Sequence, residues 1–335
     1  MQPLKIAYFG LPLGACLLAR RGYDIVHAVL SPVPAPGQRR LRRLIGSEPV
    51  LDAGSFGDAG TFWRAIERRI EKGACDALVS WFFTRQIPLE VLERAPIALG
   101  VHPSLLPRHR GPDPYFWAID AGDAESGVTV HWLRAGYDRG PIVAEERLVI
   151  GEKNAWQLAR ALDRPALRQL FQALDRVRAG QELPCREQDE VRATWAPEPT
   201  GSELRVDWHW PTERVLRRVR ALAPVPGLAL EVLGVDFFAE SCRRSDDYPR
   251  ALIPGEAAIW DAPEPRCVVK TGDGAIAVEQ ARAMLPVSSA RARPRAHSLN
   301  APGELNEVVL DGGELARVLE GQRPARPGYP DGRGC

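Results

Sequence analysis

Two residues in this chain stand where side chains can do proton chemistry. His102 follows a short apolar run, 98–101, and opens the segment His102-Pro103-Ser104-Leu105-Leu106-Pro107. An imidazole titrates near neutrality, so a histidine at a strand's carboxyl end suits a general acid or base. A purely structural histidine fits the same position. Asp138 lies in Gly136-Tyr137-Asp138-Arg139-Gly140-Pro141. An aspartate between glycines ordinarily stabilises its own turn. Its other role would be to orient His102 or to accept a proton. Two further stretches could bind. Trp81-Phe82-Phe83 offers aromatic faces to a flat heterocycle, or else packs into a core. Arg39-Arg40-Leu41-Arg42-Arg43 is a solvated face or a phosphate-contacting segment, since guanidinium forks match phosphate oxygens.

These residues need a frame that brings them together. The first half alternates apolar runs (4–9, 25–30, 77–81, 98–101) with helical spacing (15–20, 62–72). That alternation predicts βαβ units on a mostly parallel sheet, an α/β fold of Rossmann-like type. Ligands in such sheets bind beyond the carboxyl ends of the strands. The loops after Phe9, Trp81 and Val101 should therefore converge on one site. Gly10-Leu11-Pro12-Leu13-Gly14 is not a GxGxxG fingerprint and reads as an ordinary strand-to-helix turn. Residues 158–177 have long amphipathic spacing, with Pro165 expected to kink or split that helix. A linker follows at 184–201. Beyond it come one helix, 211–222, and short strand-like runs at 229–233, 235–239, 257–260, 267–271 and 275–278. That pattern predicts a small β-barrel-like (OB-like) second domain. The expected organisation is a catalytic domain over 1–183, the linker, a second domain over 202–322, and a disordered tail over 323–335.

Composition narrows the function. The chain has 335 residues, 45% of them hydrophobic and 26% charged, with a net charge of +1. No global field draws it to nucleic acid or a membrane. Its six cysteines form no CxxC pair, so neither a zinc site nor a disulfide framework is indicated. No apolar run approaches the roughly 20 residues that span a bilayer. The N-terminus enters a strand directly, without a signal-peptide layout. A cytoplasmic protein with no membrane partner and no metal is expected.

The segment from His102 to Gly111 resembles the HxSLLPxxRG signature of folate-dependent formyltransferases. That family includes methionyl-tRNA formyltransferase and sugar N-formyltransferases. The resemblance extends through Pro114-Tyr115-Phe116-Trp117, Gly127-Val128-Thr129-Val130-His131 and Asp138-Arg139-Gly140-Pro141-Ile142. Downstream it takes in Val206-Asp207-Trp208 and Pro224-Val225-Pro226-Gly227. It covers about residues 4–282.

The resemblance implies a formyl donor, 10-formyltetrahydrofolate, and a primary amine as acceptor. It implies His102 and Asp138 as catalytic residues, with Ser104 beside them. Trp81, Phe82, Phe83, Ile87, Leu105 and Asp138 become candidate contacts for the folate. Gly10, Leu11, Pro12, Arg110 and Gly111 become candidate contacts for the acceptor. The family's third catalytic residue is an asparagine two places before the histidine. Gly100 stands there, with no side-chain donor for the oxyanion that formyl transfer develops. Three readings stay open. A water or another side chain, such as His131 or Ser104, fills the gap; the space serves a different one-carbon reaction; or binding survives without catalysis.

Residues 33–44 occupy the place of the basic insertion by which the tRNA enzymes enter the acceptor stem, but they are few. Gly111-Pro112-Asp113-Pro114 departs from the RGAAP pattern of those enzymes. Both departures favour a small-molecule or carrier-bound amine over initiator tRNA.

Overall fold

The structure is a computed structural model, and it describes residues 2–31, 35–53, 58–71, 74–83, 85–261, 264–286 and 305–321. The expected tail over 323–335 lies outside the described residues. The chain forms two compact units, one running to Glu198 apart from residues 152–156, the other from Pro199.

The first unit is built on a seven-stranded sheet. Its strands are β1 (Lys5–Gly10), β2 (Asp24–Leu30), β3 (Val50–Asp52), β4 (Ala77–Trp81), β5 (Ile97–His102), β6 (Glu125–Trp132) and β7 (Ile142–Val149), in the order β3-β2-β1-β4-β5-β6-β7. The first five are parallel; β6 and β7 join antiparallel. The central strands are largely apolar because helices cover both faces of a parallel sheet. Ile6, Ala7, Tyr8 and Phe9 are all fully buried. Phe9, Phe62, Ile66 and Leu78 share one core, with Trp63 and Phe83 packed against it.

Helices α1 (Pro12–Arg20), α2 (Gln38–Ile45), α3 (Ala59–Arg69), α4 (Leu89–Leu92), α5 (Pro114–Ala121) and α6 (Ala155–Arg178) connect and follow the strands. Pro12 opens α1 at the first helical position, where its missing N–H is not needed. Asp113 caps α5, accepting from the Phe116 N–H at 3.1 Å. Pro165 does not split α6, which runs as one helix of 24 residues. The Arg-rich run expected as a loop or face is the helix α2, with Leu41 buried beneath the arginines.

The second unit carries the expected antiparallel strands: β8 (Leu228–Val232), β9 (Val235–Ser245), β10 (Ala257–Trp260), β11 (Arg266–Lys270) and β12 (Ala275–Pro286). They lie in the order β10-β11-β12-β9-β8, with β13 (Leu305–Asp311) on β12. The sheet curls around the helix α7 (Thr212–Leu222), whose Val215, Leu216, Val219 and Leu222 are buried at helical spacing. In this unit two elements were not anticipated from the sequence, β13 and α8 (Gly312–Glu320). An Asp311–Glu314 capping box starts α8. Among the described residues no helix is long and apolar enough to cross a membrane.

Candidate active site

Strand order locates the crevice. From β1 the chain moves outward through β2 and β3, then returns to β4 and β5 on the other side. The loops leaving β1 and β4 therefore diverge, and ligands of open α/β sheets bind at that switch point. Gly10 and Trp81 end those two strands as register partners. A Cβ on Gly10 would lie 1.9 Å from the Trp81 carbonyl oxygen, so only glycine lets the strand ends meet there. His102 ends β5, the next strand over. Asp138 sits in the connection from β6 to β7.

Backbone conformation marks the same loops. Four non-glycine residues among those described have left-handed φ: Phe82 (56°), His109 (57°), Asp138 (53°) and Leu233 (52°). Leu233 belongs to the β8–β9 hairpin, followed by Gly234. The other three all flank the crevice. Such conformations cost on the order of 1–3 kcal/mol each and gather at functional sites.

Asp138 stands between two buried imidazoles. Its Oδ2 lies 3.4 Å from His102 Nδ1, and its Oδ1 lies 3.4 Å from His131 Nε2. The Gly111 N–H donates to Oδ2 at 3.0 Å. Each imidazole is anchored on its far side by a carbonyl. His102 Nε2 donates to the His109 carbonyl at 2.8 Å, and His131 Nδ1 donates to the Trp132 carbonyl at 2.9 Å. A carbonyl can only accept, so those nitrogens carry hydrogens. The remaining nitrogen of each ring faces the carboxylate.

Electrostatics follow from this packing. Burial works to raise the Asp138 pKa, but His102, His131 and the Gly111 N–H outweigh it and hold the carboxyl well below the usual carboxylate range. Burial pushes the His102 imidazole below its ordinary value, and the neighbouring His131 and His109 push the same way. Asp138 and the His109 carbonyl oppose that shift without reversing it. The pair at neutral pH is thus an ionised carboxylate beside a neutral imidazole. Nδ1 is the nitrogen of His102 left to take a proton.

The SLLP loop is held by its own polar groups. The Ser104 hydroxyl donates to the Arg108 carbonyl at 2.7 Å, and the Thr129 hydroxyl donates to the Ser104 carbonyl at 2.7 Å. Ser104 is thereby engaged in shaping the loop beneath His102. His109 and Arg108 both contact Asp123, at 2.8 and 2.6 Å. Arg110 is 4% exposed and turns away from the cluster, pairing with Glu190 at 2.7 Å and Gln188 at 2.7 Å. Gln188 in turn donates to the Asp138 and Gly140 carbonyls, both at 2.7 Å. Arg110 therefore braces the Asp138 loop through Gln188. Arg110→Met should cost about 1–3 kcal/mol of stability by leaving partners unpaired. A lower melting temperature with a largely unchanged KM for the amine is the expected result.

The other sequence-predicted residues distribute around the crevice. Leu11 and Pro12 follow Gly10 at the start of α1. Trp81 is 5% exposed, and its Nε1 has no hydrogen-bond partner among the described residues. A buried donor left without a partner costs about 1–3 kcal/mol, which fits a ligand acceptor supplied there. Phe82 is half-buried against Trp81, ring centroids 5.5 Å apart. Phe83 packs edge-on to Phe9 at 5.5 Å, and Ile87 joins that core. Leu105 fills the space beside Gly127, where a Cβ would lie 2.5 Å from it. Among the described residues no group of His, Cys, Asp and Glu is placed to hold a metal.

The sequence reading missed a rim. Tyr137, 39% exposed, and Trp195, 52% exposed, lie 5.9 Å apart beside Asp138 and Gly111. Tyr137 is Asp138's chain neighbour, but Trp195 is distant in sequence and gave no signal.

Gly100 and His131 are register partners on β5 and β6. A Cβ on residue 100 would lie 2.6 Å from His131 Nε2 and 2.8 Å from Leu133 Cδ2. The space a side chain at 100 would enter is filled by the imidazole.

Comparison with known proteins places this architecture. Residues 15–174 match the formyl transferase family, and residues 200–292 match the formyl transferase C-terminal domain. A methionyl-tRNA formyltransferase of Ralstonia nicotianae is 30% identical over 296 residues, covering 83% of this chain and 90% of that protein. One from Anaeromyxobacter dehalogenans is 32% identical over 271 residues, covering 76% and 85%. HypX from Aquifex aeolicus, solved in complex with tetrahydrofolic acid, superposes with a TM-score of 0.62 at 21% identity. That match covers 96% of this chain and 48% of HypX, so the chain spans about half of that protein. An N-formyltransferase from Helicobacter canadensis, solved with folinic acid and dTDP-3-aminofucose, gives a TM-score of 0.61 at 13% identity, covering 83% and 99%. With both domains matched and relatives aligned over most of their length, the chain belongs to the formyl transferase family of enzymes.

Proposed function

We propose that this protein transfers a formyl group from 10-formyltetrahydrofolate to the amine of a small-molecule or carrier-bound biosynthetic intermediate. The observation that carries the reading is the Asp138 carboxylate held between the two imidazoles of His102 and His131 beside the switch-point crevice. Formyl transfer requires a group that takes a proton from the attacking amine and returns it to the departing nitrogen. A neutral, buried imidazole beside a fixed carboxylate suits that task. The Trp81 Nε1 donor, the Phe82 ring and the strained 82 backbone suit a flat pterin with acceptor atoms at its edge. The acceptor reading rests on the Gly111-Pro112-Asp113-Pro114 block, which departs from the pattern expected of the tRNA enzymes.

A second reading, methionyl-tRNA formyltransferase, is favoured by the names of relatives that align over nearly their whole length. It also has a basic element to offer. Arg39, Arg40 and Arg43 are exposed on α2, and Arg42 is half-exposed. One experiment separates the two. Tetrahydrofolate release from 10-formyltetrahydrofolate is measured with a panel of amines and, separately, with methionylated initiator tRNA. Turnover with a small amine, and little with tRNA, is expected. Robust formylation of the tRNA, lost when the four α2 arginines become serine and steeply salt-dependent, would establish the second reading instead. Normal tetrahydrofolate binding with no turnover on either class of acceptor would sink both.

A further inference from the structure

We propose that His131 supplies from β6 the oxyanion donor that residue 100, lacking a side chain, cannot supply from β5. This rests on the formyl-transfer reading above. In that reaction the amine nitrogen bonds to the formyl carbon, and the carbonyl π pair moves onto oxygen. Collapse of the adduct re-forms the carbonyl and breaks the bond from carbon to the folate nitrogen. The proton leaving the amine ends on that folate nitrogen, carried by His102. No electrons are gained or lost overall. The transient oxyanion needs a donor within hydrogen-bond reach.

Elimination among the described residues points to one atom of the cluster. The His102 Nε2–H is engaged by the His109 carbonyl, the Ser104 hydroxyl by the Arg108 carbonyl, and the Gly111 N–H by Asp138. The Arg110 guanidinium is engaged by Gln188 and Glu190. His131 Nε2 differs. Its partner, Asp138 Oδ1, is 3.4 Å away, beyond the 2.7–3.2 Å of a well-made N–H···O bond, so this loose contact is the one a developing oxyanion can replace. The ring is 1% exposed and its other nitrogen is fixed on the Trp132 carbonyl, so the direction of Nε2 is set.

Placement agrees. Cross-strand partners project from the same face of a sheet. His131 Nε2 lies 2.6 Å from the point where a residue-100 side chain would begin. The imidazole thus delivers a nitrogen to the place a carboxamide at 100 would occupy. For Nε2 to donate, the ring must carry both hydrogens, since Nδ1 already donates. A ring donating in that way has the Asp138 carboxylate 3.4 Å from Nε2 as its counter-charge. Among the described residues, Asp138 lies 3.4 Å from the ring and His102 interacts with it electrostatically.

The test is a two-residue cycle read in kcat, with tetrahydrofolate binding and thermal unfolding measured for every variant. His131→Ala should lower kcat by roughly 10²–10³ and leave the tetrahydrofolate Kd within about twofold. Gly100→Asn alone should also lower kcat, because its Cβ meets the imidazole. The double variant Gly100→Asn/His131→Ala should regain at least about tenfold over either single. His131→Gln keeps a neutral donor and should fall between wild type and His131→Ala, which covers the case in which the alanine variant does not fold. A kcat for folded His131→Ala within about threefold of wild type would overturn the proposal. So would a folded double variant no better than the singles. Wild type that binds tetrahydrofolate but formylates no acceptor would mean instead that the reading of function is wrong, and the proposal falls with it.

Discussion

Replacing His102 by alanine is expected to lower kcat by about 10²–10⁴-fold while tetrahydrofolate binding persists. Three observations set that size. The ring is 6% exposed, its orientation is fixed by the 2.8 Å bond to the His109 carbonyl, and its free nitrogen faces Asp138 at 3.4 Å. A side chain serving only to fill space would lose stability on truncation and keep its kcat. The informative comparison is His102→Gln, which nearly keeps the volume and can still reach the His109 carbonyl. If His102→Gln is as inactive as His102→Ala yet melts near wild type, the imidazole acts by its chemistry. Near-wild-type kcat in His102→Gln would reduce His102 to a packing residue.

The second large effect is at Asp138. Asp138→Asn preserves shape and the Gly111 contact's acceptor but removes the charge between the imidazoles. Loss of an orienting carboxylate beside a catalytic histidine costs up to about 10⁴-fold in kcat. The sign of the accompanying pH effect is determined. Burial already places the His102 pKa below its ordinary value of about 6.5, so the ring is neutral at neutral pH and its base function fails only on the acid side. Asp138 favours the imidazolium. Removing its charge lowers the His102 pKa further, so the acid limb of kcat should move to lower pH even as the plateau falls. An NMR titration of the His102 ring tests this directly. Movement of the His102 midpoint upward in Asp138→Asn would show that the carboxylate is not its dominant charged neighbour.

The fold was largely legible in the sequence, for a physical reason. Strands β1, β4 and β5 are largely buried on both faces, so they read as short apolar runs, and their ends located the crevice. His102 and Asp138, which the structure brings within 3.4 Å of each other, each follow a strand within a recognisable motif. What failed to show was long-range pairing. Gly100 was visible as a missing side chain, but the imidazole in its place depends on the β5–β6 register. Only that register sets the His131 ring against residue 100. The pairing of Arg110 with Glu190 gave no local signal because the two lie 80 residues apart. The 184–201 segment read as a linker, yet Gln188, Glu190 and Thr194 all bond to the SLLP loop or its neighbours. β7 was missed because Glu145, Glu146 and Arg147 interrupt its apolar pattern on an edge strand. In α2 the arginines obscured the single buried Leu41.

The His131 register also changes how Gly100 is to be probed. Gly100→Asn alone does not restore a missing group; it drives a Cβ into an occupied site. Only the paired substitution asks whether a donor at that point matters.

The central claim is that His102 and Asp138 move the proton of a formyl transfer. It is tested most directly in a single turnover, with enzyme in excess over 10-formyltetrahydrofolate and a saturating amine that the wild type accepts. Tetrahydrofolate and formylated amine should appear together, in equal amounts, at a rate that falls by about 10²–10⁴ in His102→Ala. Tetrahydrofolate formed at the same rate in wild type and in a folded His102→Ala variant would contradict the account.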